Sequence, residues 1–151
     1  MKKVIIFIVS LLLFFLPYLI KVDYTFYNSL TLPFFTPPNI FFIVCWSIVY
    51  ISLCISITMI LSDYTYKTVP KSYLRILLIN YFFNVLFRFV FFTLKSTFLG
   101  FIFSLGTFIT CLILYEKTTK IKEQAVKFLN PYVLLSLFGT VLSFCIYVIN
   151  L

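Results

Sequence analysis

Histidine is absent from this chain of 151 residues, which also has only four carboxylates, three glycines and one tryptophan. Each shortage removes a class of function. Without imidazole, a zinc centre or a histidine-ligated haem has no ligand set. The four cysteines (Cys45, Cys54, Cys111, Cys145) form no CxxC pair that could replace it. All four lie inside apolar runs and read as small buried hydrophobes. Nothing in the residues calls for a resident cofactor or a metal. The carboxylates Asp23, Asp63, Glu116 and Glu123 fall between apolar runs, so no membrane-embedded acid is available for proton- or sodium-coupled transport. Charged residues make up 11% of the chain, against about 25% in soluble domains. Too little polar surface exists to cover a water-facing exterior.

What is abundant is apolar and aromatic: 63% of residues are hydrophobic and 22% are Phe, Trp or Tyr. Lipid is the solvent this composition requires. Five apolar runs, Val4–Ile20, Phe41–Leu61, Tyr73–Leu94, Thr97–Tyr115 and Pro131–Leu151, have 17, 21, 22, 19 and 21 residues. A helix needs roughly 17 to 25 residues to cross the hydrocarbon at about 1.5 Å per residue. The expected fold is therefore an all-α integral membrane bundle of five transmembrane helices in one domain spanning 1–151. Only Lys95 and Ser96 separate the third and fourth runs, which predicts a tight antiparallel pair. Met1-Lys2-Lys3 ahead of the first run also fits a secretory signal peptide. No small-x-small cleavage site follows, so the run is expected to be retained.

The net charge of +8 does not point to nucleic acid, because the basic residues sit in short connectors rather than along one stripe. Lys2, Lys3, Lys67, Lys71, Arg75, Lys117, Lys120, Lys122 and Lys127 fall on one side of the five-span topology, and Lys21 and Lys95 on the other. Nine against two predicts a cytoplasmic N-terminus and an external C-terminus.

The loop at 21–40 is the longest connector and is full of apolar side chains: Tyr24, Phe26, Tyr27, Leu30, Leu32, Phe34 and Phe35. Such side chains need cover, and packing over the external mouth of the bundle supplies it. Pro33, Pro37 and Pro38 fix φ near −65° and stiffen the loop before the second helix. A proline-stiffened aromatic loop is expected to act as a lid. Inside the third run, Asn80, Asn84 and Arg88 recur every four residues and form one polar stripe that should turn inward. For Asn84, two roles stand open: glue between helices, or contact with a ligand; for Asn80 glue is favoured. Arg88 has no intramembrane acid to pair with. It either snorkels to the headgroups or meets the anionic group of a ligand, such as a propionate, beneath the lid.

Three stretches carry a resemblance. Phe26-Tyr27-x-x-Leu30-x-Leu32-Pro33, then Pro37-Pro38, then Trp46-x-x-Val49-Tyr50 resembles the pattern WYxxLxKPxxxPP, seven residues, WxxLY. That pattern marks the translocator protein / tryptophan-rich sensory protein (TspO/MBR) family. Asn84-Val85-Leu86-Phe87 followed by Phe91-Phe92 is similar to that family's NxLWSxxFF. Pro131-Tyr132, Phe138-Gly139-Thr140, Leu142 and Asn150 match its last-helix signature PYLLWxxFATxLNxxIxxLN. The resemblance implies a five-helix bundle, often a homodimer, in the bacterial cell membrane. It also implies a ligand that is a tetrapyrrole (protoporphyrin IX or haem) or a similarly flat hydrophobic small molecule.

By the same resemblance the pocket would draw Tyr27 and Pro37 from the lid, Trp46 and Tyr50 from the second helix, Asn84 and Phe87 from the third, and Leu135, Phe138 and Gly139 from the fifth. Arg88 joins them on the charge argument. Gly139, where the family carries Ala or Thr, leaves room for a ligand or for another helix. The departures are as informative. Family tryptophans stand here as Phe26, Phe35, Phe87 and Leu135, the lid lysine as Leu32, and a later asparagine as Ser143. Near the place of the usual fourth-helix acid are Phe103 and Ser104.

The function expected is a membrane receptor for such ligands, acting as a sensor, scavenger or transport facilitator. One alternative is a light-dependent porphyrin-degrading enzyme, which would have to work with Trp46 alone. Another is a structural membrane subunit with no small-molecule ligand.

Overall fold

Prolines set where three of the five long helices begin. The computed structural model describes residues 1–19, 22, 24–64 and 68–151; Ile20 at the end of the first run, Lys21 and Asp23 of the first connector and Lys67 of the second lie outside them. Helix α1 (Lys2–Phe15) tightens into a 3₁₀ turn at Leu16–Leu19. A short helix α2 (Tyr24–Ser29) follows, inside the segment expected as a loop. Helix α3 (Asn39–Leu61) starts directly after Pro37-Pro38, with Pro38 at φ −57° and ψ 148°. Helix α4 (Lys71–Arg88) starts after Pro70, and α7 (Asn130–Ile149) carries Pro131 in its first turn. A proline at a helix start loses nothing, because its missing N–H would have had no partner there.

Helix α5 (Thr97–Ile121) runs six residues beyond the expected end at Tyr115. Its last turns are polar and leave the apolar zone while staying helical: Lys120 bonds Glu116 one turn earlier, and Thr119 Oγ1 donates to the Tyr115 carbonyl at 2.9 Å. A single-turn helix α6 (Glu123–Val126) and a 3₁₀ turn at Lys127–Leu129 lead into α7. Among the described residues, five helical segments are long and apolar enough to cross a membrane: Lys2–Leu19, Asn39–Leu61, Lys71–Thr93, Thr97–Ile121 and Glu123–Ile149. The exterior suits lipid. Leu12, Ile48, Leu78, Ile109 and Leu134 are all exposed, a surface that water would not tolerate.

Helix α5 packs between α4 and α7, and α3 packs on α1 and α7. The turn between α4 and α5 is as tight as the two-residue gap suggests. Lys95 takes φ 53°, and Ser96 caps α5 by accepting from the Leu99 N–H at 3.2 Å. Just before it, α4 widens into a π-helical turn at Phe89–Thr93. Two glycines let α4 and α5 meet: a Cβ on Gly106 would lie 2.5 Å from the Phe83 ring, and one on Gly100 would overlap the Phe91 ring.

The two ends of the bundle are built differently. At the Lys2 end, lysines tie down the frayed carbonyls that close α3. Lys2 Nζ donates to the carbonyls of Ser62 (3.1 Å) and Tyr64, and Lys122 Nζ to that of Met59 (3.2 Å). Lys122 also pairs with Asp63 and holds its carboxyl below the usual carboxylate range. Above these ties the interior is solid: Leu53, Cys54, Ile60, Tyr73, Cys111, Leu114, Leu129 and Tyr132 are fully buried. At the other end lie α2, the proline loop and a hollow.

Gly100→Ala is expected to cost about 1–3 kcal/mol through displacement of the buried Phe91 ring. Gly139→Ala meets only Ser104 Oγ, at 3.8 Å, and should leave stability unchanged. Melting of the two variants in detergent checks the contrast, and equal midpoints would contradict it.

Candidate functional site

A cavity of about 200 Å³ opens between α1, α2, α3, α4, α5 and α7. Its walls follow from helical spacing. On α3, Asn39, Phe42, Ile43, Trp46 and Tyr50 recur at three- and four-residue intervals. On α4, Asn84, Phe87, Arg88 and Phe91 do the same, and on α7 so do Ser136, Gly139, Ser143 and Ile146. Ser104 and Thr107 contribute from α5, Pro17 and Tyr18 from the 3₁₀ end of α1, and Tyr24 and Tyr27 from α2.

Of the ten residues singled out in the sequence, seven line this hollow: Tyr27, Trp46, Tyr50, Asn84, Phe87, Arg88 and Gly139. Three do not. Pro37 lies against α2 in a separate shallow recess with Leu32, Pro33 and Pro38. The roof over the cavity is therefore α2, with Tyr24 and Tyr27, and the prolines brace it from the side. Leu135 sits one turn before Gly139 on the same side of α7, but it does not line the hollow and packs at the edge of the main core. Phe138 stands behind the wall, with ring centroids 6.4 Å from Phe35 and 6.3 Å from Phe42. It anchors the loop to α7 instead of facing the hollow.

The floor is a hydrogen-bond network. Tyr50 Oη donates to Asn84 Oδ1 at 2.8 Å, and Asn84 Nδ2 donates to Tyr132 Oη at 3.4 Å. Tyr132 in turn donates to Asn80 Oδ1 at 2.8 Å. Asn80 Nδ2 then reaches the Thr107 carbonyl (3.1 Å) and Thr110 Oγ1 (2.9 Å) on α5. Four helices meet in this chain of bonds. Asn80 spends its amide wholly inside it. Asn84 spends its oxygen on Tyr50 and one N–H on a long contact, so its amide both joins helices and faces the cavity.

Above the floor, the aromatic lining is ordered by ring contacts. Trp46 sits 5.5 Å from Tyr50 and 6.3 Å from Tyr132, and Phe87 stacks on Phe91 at 5.6 Å with 13° between planes. Phe91 also meets Phe26 and Tyr27 of α2 edge-on, at 5.9 and 6.4 Å. The π-helical turn at Phe89–Thr93 helps here, since one extra residue per turn lets both Phe91 and Phe92 reach the hollow. Burial at the mouth raises the Tyr27 phenol above its ordinary value, so it remains a neutral donor. Among the described residues no cluster of His, Cys, Asp or Glu could hold a metal ion.

Several lining residues were not anticipated. Tyr18 comes from just before the first connector and Tyr24 from within it, and Ser104, Thr107, Ser136 and Ser143 make a hydroxyl-bearing side to the cavity. The spacing of Ser136, Gly139 and Ser143 along one helix face was the available signal. Asn150 was also missed as a fastener. Its side-chain amide pairs with both backbone groups of Thr31, at 2.9 Å each way, and so ties the loop to the end of α7.

Removing that tie by Asn150→Ala should raise amide hydrogen exchange across residues 24–36 severalfold while leaving α3 and α5 protected, as read by mass spectrometry. In the network, Asn80→Ala should cost about 1–3 kcal/mol, because Tyr132 and Thr110 lose a buried partner together. This exceeds the average near 0.6 kcal/mol for a membrane hydrogen bond. A shift in melting midpoint no larger than that of an exposed substitution such as Leu78→Ala would contradict it.

A sequence model described as the TspO/MBR family matches residues 4–149. The chain is similar to the tryptophan-rich protein TspO of Bacillus cereus, 33% identical over 149 residues, with 93% of this chain and 96% of that protein covered. It is also similar to an uncharacterized membrane protein, YtaB, of Bacillus subtilis, 33% identical over 156 residues with 100% of both chains covered.

Proposed function

The chain belongs to the TspO/MBR family, and from that premise we propose that it is a membrane binding protein for tetrapyrroles such as protoporphyrin IX and haem, or for similarly flat hydrophobic molecules. The observation that carries this reading is the convergence of Trp46, Tyr50, Phe87 and Asn84 on one hollow. Aromatic faces stack on a planar guest and bury large area at small entropic cost. The Asn84 amide and the hydroxyl side of α5 and α7 give polar atoms on its edge something to bond. Ligand sites usually measure about 300–1,000 Å³, more than the 200 Å³ found here. A macrocycle would therefore enter by lifting α2, which meets Phe91 and Phe92 through aromatic ring contacts.

Binding of this kind serves sensing, scavenging or facilitated movement of the ligand, and requires no resident cofactor. The protein would sit in a bacterial cell membrane with its N-terminus cytoplasmic. That orientation is supported by Lys2 and Lys122 meeting at one end of the bundle. A homodimer is the assembly proposed with it.

Titrating protoporphyrin IX into the protein in lipid nanodiscs should quench the single tryptophan saturably. Followed by porphyrin absorbance, Trp46→Phe and Asn84→Ala should each weaken binding by about two- to tenfold. Quenching that never saturates, or binding indifferent to both substitutions, would refute the site.

A further inference from the structure

Arg88 is the one feature of the cavity that a site for neutral flat molecules does not explain. It lies on the cavity wall, a charged side chain within a membrane span. Its guanidinium carbon sits 4.6 Å from the centroid of the Tyr18 ring, and its Nε is buried without a hydrogen-bond partner among the described residues. The ion pairs found among the described residues, Lys120 with Glu116 and Lys122 with Asp63, are elsewhere. A cation–π contact holds the cation in place but consumes no N–H donor. Arg88 therefore offers a positioned fork of donors to a low-dielectric hollow, where an unpaired charge is costly and a bound anion relieves that cost.

The other walls are apolar side chains, hydroxyls and the uncharged amides of Asn39 and Asn84, so the complementary guest carries its charge at one end. We propose that the cavity selects an anionic amphiphile: a carboxylate seated on Arg88, with a flat apolar body lying along Phe42, Trp46 and Phe87. The small volume of the closed hollow favours one fused-ring system with a short acid arm, and a porphyrin propionate would use the same seat. This inference rests on the binding reading above and adds the charge of the ligand to it.

The test uses full-length protein in phosphatidylcholine nanodiscs, with empty nanodiscs as the reference for partition. The probes are 1-pyrenebutyric acid and its methyl ester, and protoporphyrin IX and its dimethyl ester. The wild type should bind each acid about tenfold or more tightly than its ester. Arg88→Gln should bring both ratios close to one while ester binding persists, and Arg88→Lys should keep part of the preference. Esters that bind saturably and as tightly as the acids in the wild type would overturn the charge proposal and leave the binding site standing. Absence of saturable binding by all four probes would overturn both.

Two further arms separate other anions from the ligand. A preference that vanishes in phosphatidylglycerol nanodiscs would assign Arg88 to lipid headgroups and overturn the proposal. So would a preference that emerges only after Asp23→Asn, which would make Asp23 the counterion of Arg88.

Discussion

Everything in the bundle is arranged around the hydrogen-bonded chain Tyr50–Asn84–Tyr132–Asn80, which ends on Thr107 and Thr110. In hydrocarbon a polar side chain must find a partner inside the protein. These two asparagines and two tyrosines can satisfy one another only if α3, α4, α5 and α7 stand in one relative register. Dispersion between lipid-like side chains cannot select a register so sharply, because sliding one leucine face along another costs little. The network supplies specificity, and the packing around it supplies bulk. It also marks a boundary. Toward the lysine-tied end the side chains fill all space, while toward α2 they leave a hollow.

The glycines show how that boundary is maintained. Gly100 and Gly106 are used up in bringing α4 against α5, with phenylalanine rings pressed where a Cβ would go. Gly139 is spent differently, facing open space in the cavity wall. The same residue type thus closes one helix pair and opens another. Phe138, next to Gly139, turns about 100° aside and holds Phe35 and Phe42. Consecutive residues on α7 therefore serve the void and the cover above it.

Much of this was legible in the residues. Run lengths and proline placement located all five spans, and the four-residue period of Asn80, Asn84 and Arg88 placed their stripe inward. What escaped the sequence has physical causes. The extension of α5 to Ile121 escaped because charge was read as a boundary, whereas a helix leaving lipid can continue on i,i+4 pairs such as Glu116 with Lys120. Helix α2 was hidden in an aromatic segment whose composition gave no helical period. Leu135 and Pro37 were placed in the pocket by pattern alone. Their actual positions depend on depth along a helix and on a loop path, neither of which a linear motif encodes. Asn150 illustrates the converse, a motif residue whose work as a pin for the loop emerges only when Thr31 is brought to it in space.

The contrast between the two ends has one more meaning. The lysine-tied end, with Tyr73, Leu114 and Leu129 packed behind it, gives the hollow a bottom, so the molecule is shaped as a cup and not as a tube. A guest bound as proposed would leave by the rim through which it arrived. Its passage to the opposite leaflet would require the asparagine–tyrosine chain to come apart, and holding it would require only that α2 settle back.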